Sequence, residues 1–504
     1  MTRRRVAVVA CATGVILFAL AYMLPSTIGK AFEMDEGAVN AYGARVLDGA
    51  VPHRDFLTFY GPGNLWFVAG AFAVLGESVG VERAVGMVYR LLIVLAVFVL
   101  GARLGGLVGG LSAGVIAATV LANDLIWAYA TYGALGFGLL GLAILSETAT
   151  VSPSRRITFG LVAAGVASGV AVLIRFDFAA AVVLSAVPIL ALSSRYARVR
   201  YASGFLAVLG VFVVHLAIVG PERIQRVVGD LLATGSGRYL QRQTVWDYPG
   251  NLLAVANLAT AALLGAGALL VWRRHDVAPR VVLGAGLFSV AVLPLTISRM
   301  DPLHIRPYAV LPLSLLPGLV LLVLSTAAGR LRAALAVLVS IGVAWGVVHY
   351  GTYDVDRFRS VRDVRSGYRG FYDDDSAGAR VVVERARDLA RPGDTLFVGP
   401  QDLRRTNYGP TYMYFLLRRE LRPASYYMEM NPGTANREGS GLADDLRRAD
   451  WLILTSEWDD WSEPNDSSDF GSSVPNEVVR DAFCPRLEAG QYRLYERCDR
   501  QAGA

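Results

Sequence analysis

Apolar runs separated by short charged stretches organise the first 350 residues, and their lengths fall into two kinds. Eleven runs, at 6–24, 84–101, 107–121, 134–146, 157–174, 178–192, 205–219, 252–272, 281–297, 308–324 and 333–350, predict helices that cross a membrane. A twelfth, at 65–75, reaches only about 16 Å at 1.5 Å per residue, roughly half of a hydrocarbon core. It reads as an interfacial or re-entrant helix. The pattern changes after residue 350: mixed charges, Gly/Pro punctuation and short apolar segments predict a second, soluble α/β domain over 351–504. Within it, 379–390, 411–419 and 443–449 read as helices. Residues 394–400 and 451–455 read as buried strands, and 492–496 as an edge strand.

Charge fixes the sides. Arginines cluster at 155–156, 195–200, 273–274 and 330–332 as well as at the N-terminus, and positive loops face the cytoplasm. The first run, with no small-residue cleavage site after it, reads as a retained helix. The resulting expectation is a mainly helical, multi-pass protein of the cell membrane with about eleven spans. Its N-terminus is cytoplasmic and its C-terminal domain extracytoplasmic, with residues 25–83 forming one long external loop in a membrane domain of 1–350. Composition agrees: 54% of residues are hydrophobic and 18% charged, with a mean hydropathy of +0.43. The net charge of +6 is spread over many loops and gives no ground for a nucleic-acid partner, while the apolar runs make membrane lipids the expected surroundings. Of the three cysteines, Cys11 lies in the first span, while Cys484 and Cys498 share the external tail, where a disulfide between them is expected.

This topology gathers polar groups on one face. Asp35 and Glu36, Asp124, Arg175 and Asp177, and the group Arg299, Asp301, His304 and Arg306 all emerge outside, where they serve either as ordinary loop charges or as a site. No HExxH, CxxC, Walker A or GxSxG pattern is present, and GPQDLRR lacks the GxGxxG spacing. No metal and no cofactor are therefore expected. Asp35 precedes a helix over 36–47 with Val39, Tyr42 and Val46 on one face, so it reads as an N-cap. Capping and catalysis are compatible, because N-terminal amides favour the ionised carboxylate that a general base needs. Glu36, about 100° further round, reads as a ligand for substrate hydroxyls. Tyr60 opens a Tyr-Gly-Pro-Gly turn. Arg90, inside the second span, reads either as a phosphate partner or as a structural partner of Glu82.

The Asp35-Glu36 pair in a long first external loop resembles the GT-C glycosyltransferases. So do the Tyr60-Gly61-Pro62 turn before a short interfacial helix, Asp124 after the third span, and the Arg299-x-Asp301-x-x-His304 loop. The likeness is greatest to the branch of protein O-mannosyltransferases and aminoarabinose transferases. It implies transfer of a sugar, with inversion, from a polyprenyl-phosphate donor to a glycan, lipid or protein acceptor outside the membrane. Asp35 would be the general base. Tyr60, Asp124, Asp177, Asp301 and His304 would line the substrate site, and Arg175, Arg299 and Arg306 would hold phosphate. The tail's Tyr426, Tyr427, Trp458 and Trp461 serve either a packed core or a grip on the acceptor. The rival class is a transporter or lipid-linked glycan flippase, in which buried charges mark a path.

Overall fold

The computed structural model describes residues 3–122, 125–152, 154–235, 252–298, 302–324, 370–371, 377–405, 409–430, 433–457, 459 and 471–500, with isolated positions 334, 338 and 342. From the N-terminus run α1 (Arg3–Met23), α2 (Asp35–Leu47), α3 (Gly63–Leu75), α4 (Val79–Ala122), α5 (Ala130–Thr148) and α6 (Arg155–Ile174). There follow α7 (Ala179–Leu192), α8 (Arg195–Val219), α9 (Pro221–Gly235), α10 (Leu252–Arg273), α11 (Val277–Ser298) and α12 (Pro302–Val323). Eight of these, α1, α4, α5, α6, α8, α10, α11 and α12, are long and apolar enough to cross a membrane, and the protein is a multi-pass membrane protein. The 44-residue α4 is two antiparallel arms, because Gly105 and Gly106 leave helical geometry, Gly106 at φ 66°. The arms meet through glycine: a Cβ on Gly101 would lie 2.5 Å from the Gly109 carbonyl oxygen. The short apolar helix α3 has 13 residues, about 20 Å. The expected span at 333–350 lies outside the described residues, apart from three isolated positions.

The C-terminal domain contributes α13 (Ala377–Leu389), β1 (Thr395–Pro400), α14 (Tyr412–Leu416), β2 (Arg422–Pro423), α15 (Leu442–Arg448), β3 (Trp451–Thr455), α16 (Val474–Ala482), β4 (Phe483–Ala489) and β5 (Tyr492–Arg497). Its sheet runs β2-β1-β3-β5-β4, with β1 parallel to β2 and β3 and the β3-β5 and β5-β4 pairs antiparallel. The expected edge strand at 492–496 is therefore interior. The edge is β4, whose exposed arginine and glutamate hide it from a strand pattern. Cys484 and Cys498 are disulfide-bonded, tying β4 to the residue after β5.

The first loop docks on both domains. Asp35 is the first helical residue of α2, not its N-cap; Met34 holds that place and makes no side-chain cap. The helix is not amphipathic in effect: Ala38, Asn40, Ala41 and Gly43 are buried with Val39 and Tyr42, because the C-terminal domain covers the face that α3 leaves. At Gly37 a Cβ would lie 2.8 Å from that of Tyr412. Glu36 is fully buried and ion-paired with Arg83, Nε to Oε1 at 2.6 Å, and its Oε2 accepts the Phe32 N–H at 2.7 Å. Further along, His53, at φ 68°, sets one ring nitrogen 3.1 Å from His215 of α8 and the other 3.0 Å from the Tyr60 carbonyl. The Tyr426 hydroxyl of the C-terminal domain donates to the His53 carbonyl at 2.9 Å. Helix α9, whose Pro221 start and charged face the sequence reading passed over, makes the other tie. Its buried Asp230 pairs with Arg437 at 2.6 Å, and Arg226 donates to the Tyr427 hydroxyl at 3.0 Å.

Two outcomes follow for detergent-solubilised protein. Arg83→Met strands a buried carboxylate and the carbonyls of Thr27, Gly29 and Lys30 and lowers stability by about 3–5 kcal/mol, and adding Glu36→Gln recovers only the part due to the carboxylate. A parental Tm for Arg83→Met alone would remove the pair from its structural role. Burial, with His215 beside it, pushes the His53 imidazole down from 6.5 to about 4. The unfolded chain therefore binds the extra proton first, so stability is complete above about pH 6.5 and falls by about 3 kcal/mol as pH drops toward 4. In melts across that window His53→Asn, which tolerates the positive φ, flattens the slope.

Candidate active site

Tyr60 is where distant segments of chain converge. The turn that carries it lies on the C-terminal end of α6, and glycine makes the approach possible: a Cβ on Gly61 would collide with the Leu173 carbonyl oxygen, and one on Gly63 would lie 3.0 Å from the Leu173 carbonyl carbon. This contact brings Tyr60 against the first residue beyond α6, with the Arg175 guanidinium 4.8 Å from the Tyr60 ring centroid. Arg175 is held by a fork to Asp177 (Nε to Oδ1 3.0 Å, Nη2 to Oδ2 2.6 Å) and by Nη1 to the Thr131 hydroxyl at 2.5 Å. Three of its five N–H donors are so used, and two stay available to an anion.

Tyr129 forms the next wall. Its ring stacks on Trp127 at 4.8 Å and meets Tyr60 edge-on at 6.4 Å, and its hydroxyl lies 3.1 Å from His304 Nε2. The strand of chain from 125 to 129 owes its path to buried charges at the start of α4. Arg90 donates to the carbonyls of Leu125 (3.2 Å) and Trp127 (3.0 Å), Glu82 accepts the Ala128 N–H at 2.5 Å, and Asn64 donates to the Ala128 carbonyl at 2.9 Å. Arg90 thus holds backbone.

Burial, chiefly, and then the charge of Tyr129, Asp35 and Glu429 raise the Tyr60 phenol well above its ordinary value, against the lowering effect of Arg175. Tyr60 therefore stays a neutral hydrogen-bond donor within the field of two carboxylates. Burial and Glu429 likewise keep Tyr42 protonated, and it donates to Glu429 Oε2 at 3.2 Å. Asp35 and Tyr42 are seven residues apart, on the same face of α2. Glu429, from the C-terminal domain, was missed by the sequence reading. Nothing in the tail's pattern distinguishes it from a solvated acid, since its place depends on the docking of the two domains.

Of the other expected residues, His304 sits in the first turn of α12 and not in a loop, with Arg306 half-buried two residues on. Glu36 is turned away: both its oxygens are bound by Arg83 and Phe32, which leaves it to hold α2 and not to meet substrate hydroxyls. Asp124, Arg299 and Asp301 lie outside the described residues, as do Trp458 and Trp461. Among the described residues no group of three or more His, Cys, Asp or Glu is placed to hold a metal.

No family model and no curated relative matches the sequence. Solved structures do match its fold. ArnT from Cupriavidus metallidurans bound to undecaprenyl phosphate superposes with a TM-score of 0.56 at 13% identity, over 97% of both chains. The apo state of the same ArnT gives 0.56 at 13%, over 96% of this chain and 98% of that one. The Archaeoglobus fulgidus oligosaccharyltransferase AglB, in complex with an inhibitory peptide and a dolichol-phosphate, gives 0.51 at 11%, over 89% of this chain and 70% of that one. The chain shares its fold with ArnT and with the Archaeoglobus fulgidus oligosaccharyltransferase.

Proposed function

We propose that the protein is an integral membrane glycosyltransferase that moves a sugar from a polyprenyl-phosphate donor to a cell-envelope acceptor, glycan, lipid or protein, at the extracytoplasmic face, with inversion. The observation that carries this is the convergence on Tyr60 of an acid, Asp35, with a partly uncommitted arginine, Arg175, in a fold shared with transferases of that class. The acceptor hydroxyl attacks the anomeric carbon. As that C–O bond forms, the bond from the anomeric carbon to the phosphate oxygen breaks, and the lipid phosphate leaves with the electron pair. Asp35 takes the hydroxyl proton. Arg175 offers its free N–H groups to the charge growing on the phosphate, with Asp177 and Thr131 fixing its plane beforehand. His304, set by Tyr129, lines the donor side with Arg306. Asp124, Arg299 and Asp301 belong to the same proposal on sequence grounds. Phosphate already leaves well, so the route needs no matched general acid, unlike hydrolysis between paired carboxylates. A transporter reading has no comparable support, since the fold likeness is to transferases.

Proteoliposomes carrying labelled polyprenyl-phosphate sugars test the reading. Asp35→Asn is expected to lower kcat by about 10³ with KM little changed; full activity in that variant would sink the mechanism, and transport without transfer would sink the class. Arg175→Lys keeps the charge and loses the fork, and is expected to lower kcat by about 100-fold. Equal rates for Lys and Arg would mean that the fork is not used.

A further inference from the structure

Apart from the Tyr60 site, a cleft of about 1170 Å³ lies between the C-terminal half of α2 with its following turn, α9, and the C-terminal domain. Nine arginines line it against four carboxylates, and few of its lining residues are apolar. The carboxylates are largely committed. Asp55 accepts from Arg54 (3.0 and 2.9 Å) and from the Val51 N–H, and Glu420 pairs with Arg387 outside the cleft at 3.2 Å. Asp445 holds the Ser425 hydroxyl and the Tyr426 N–H at 3.0 and 2.9 Å. Several cations are not: Arg223, Arg391, Arg419 and Arg422 make no ion pair among the described residues. Arg45 also leaves its Nε buried without a hydrogen-bond partner, an arrangement that costs free energy until an acceptor arrives. The volume exceeds the roughly 300–1,000 Å³ typical of small-molecule pockets, which favours an extended ligand over a lone anion. The sparse apolar lining favours a sugar chain over acyl chains.

The cleft is also placed to serve the transfer site. Arg45 lies ten residues beyond Asp35 on α2, about 15 Å along the axis. Residues 426–429 run from one to the other, with Tyr426 in the cleft and Glu429 beside Tyr42. We propose that this cleft binds the acceptor, and that the acceptor is an acidic oligosaccharide carrying phosphate or carboxylate groups along its length, whose end reaches Asp35. The direction of binding rests on the transferase reading; the binding itself does not.

The test uses the full chain in nanodiscs of neutral lipid and three fluorescent probes of equal length: an oligogalacturonate, a phosphorylated malto-oligosaccharide and a neutral malto-oligosaccharide. At least one acidic probe is expected to bind, with affinity falling as salt rises, and the neutral one is not. The triple variant Arg391→Gln/Arg419→Gln/Arg422→Gln, all at exposed positions, is expected to weaken acidic-probe binding by about tenfold while the corresponding Lys triple retains most of it. Equal binding of the neutral probe, or an unchanged Gln triple, overturns the proposal. So does displacement of the acidic probes by phosphatidylglycerol in the disc, which would make the cleft a lipid-headgroup site. Asp35→Asn is expected to bind the acidic probes like the parent. Failure of the cleft thus appears as absent or unselective probe binding while the parent still transfers sugar, and failure of the transferase reading as transport without transfer with probe binding intact.

Discussion

An ion pair sealed from water, Glu36 with Arg83, determines where α2 begins and so where Asp35 stands. Removing two charges from water is costly unless every donor and acceptor finds a partner. Here the requirement is met in full on the arginine side: two N–H groups go to the carboxylate, two to the carbonyls of Thr27 and Gly29, and one to that of Lys30. The guanidinium thus gathers the chain leaving α1 and attaches it to the first turn of α4. A neutral packing contact in its place would leave three carbonyls without partners at the edge of an apolar bundle.

Buried ionisable groups hold backbone again one helical segment further on, where Glu82 and Arg90 fix the chain between 125 and 129, with Arg90 Nε and Glu82 Oε2 left without a partner among the described residues. Charges in the apolar part of the molecule therefore divide by burial. Those fully enclosed, Glu36, Glu82, Arg83 and Arg90, carry turns of backbone. Those that retain some access, Asp35, Asp177 and Glu429, stand around Tyr60 with Arg175. The enclosed groups act as scaffold for the accessible ones. That explains how so many ionisable residues coexist with a mean hydropathy of +0.43.

Much of this was legible from residue order, and the limits have physical causes. Run length marked α3 as a short apolar helix, and the apolar continuity of 394–400 and 451–455 put β1 and β3 where they fall. The break in α4 matches the gap between two expected runs because Gly105 and Gly106 are the signal for it. What periodicity cannot resolve is which of two adjacent acids faces inward: Asp35 and Glu36 differ by 100° of rotation, and the choice is made by Arg83, 47 residues away. Glu429 and α9 were missed for a related reason. Their roles exist only once two domains meet, and local pattern carries no record of that meeting. The interior position of β5 depends likewise on β4, whose charged sequence does not look like a strand.

Helix α2 is confined on both sides at less than a side chain's width. A Cβ on Gly37 would press on Tyr412 of the C-terminal domain, and Gly43 packs against Val68 of α3. Most domain contacts are cushioned by long side chains that can change rotamer and absorb a displacement. Gly37 meets the backbone and Cβ of Tyr412, and backbone against backbone has no such compliance. A push or tilt of the C-terminal domain is therefore delivered to the first turn of α2 almost undiminished, so Asp35 moves as a rigid extension of a domain it does not belong to.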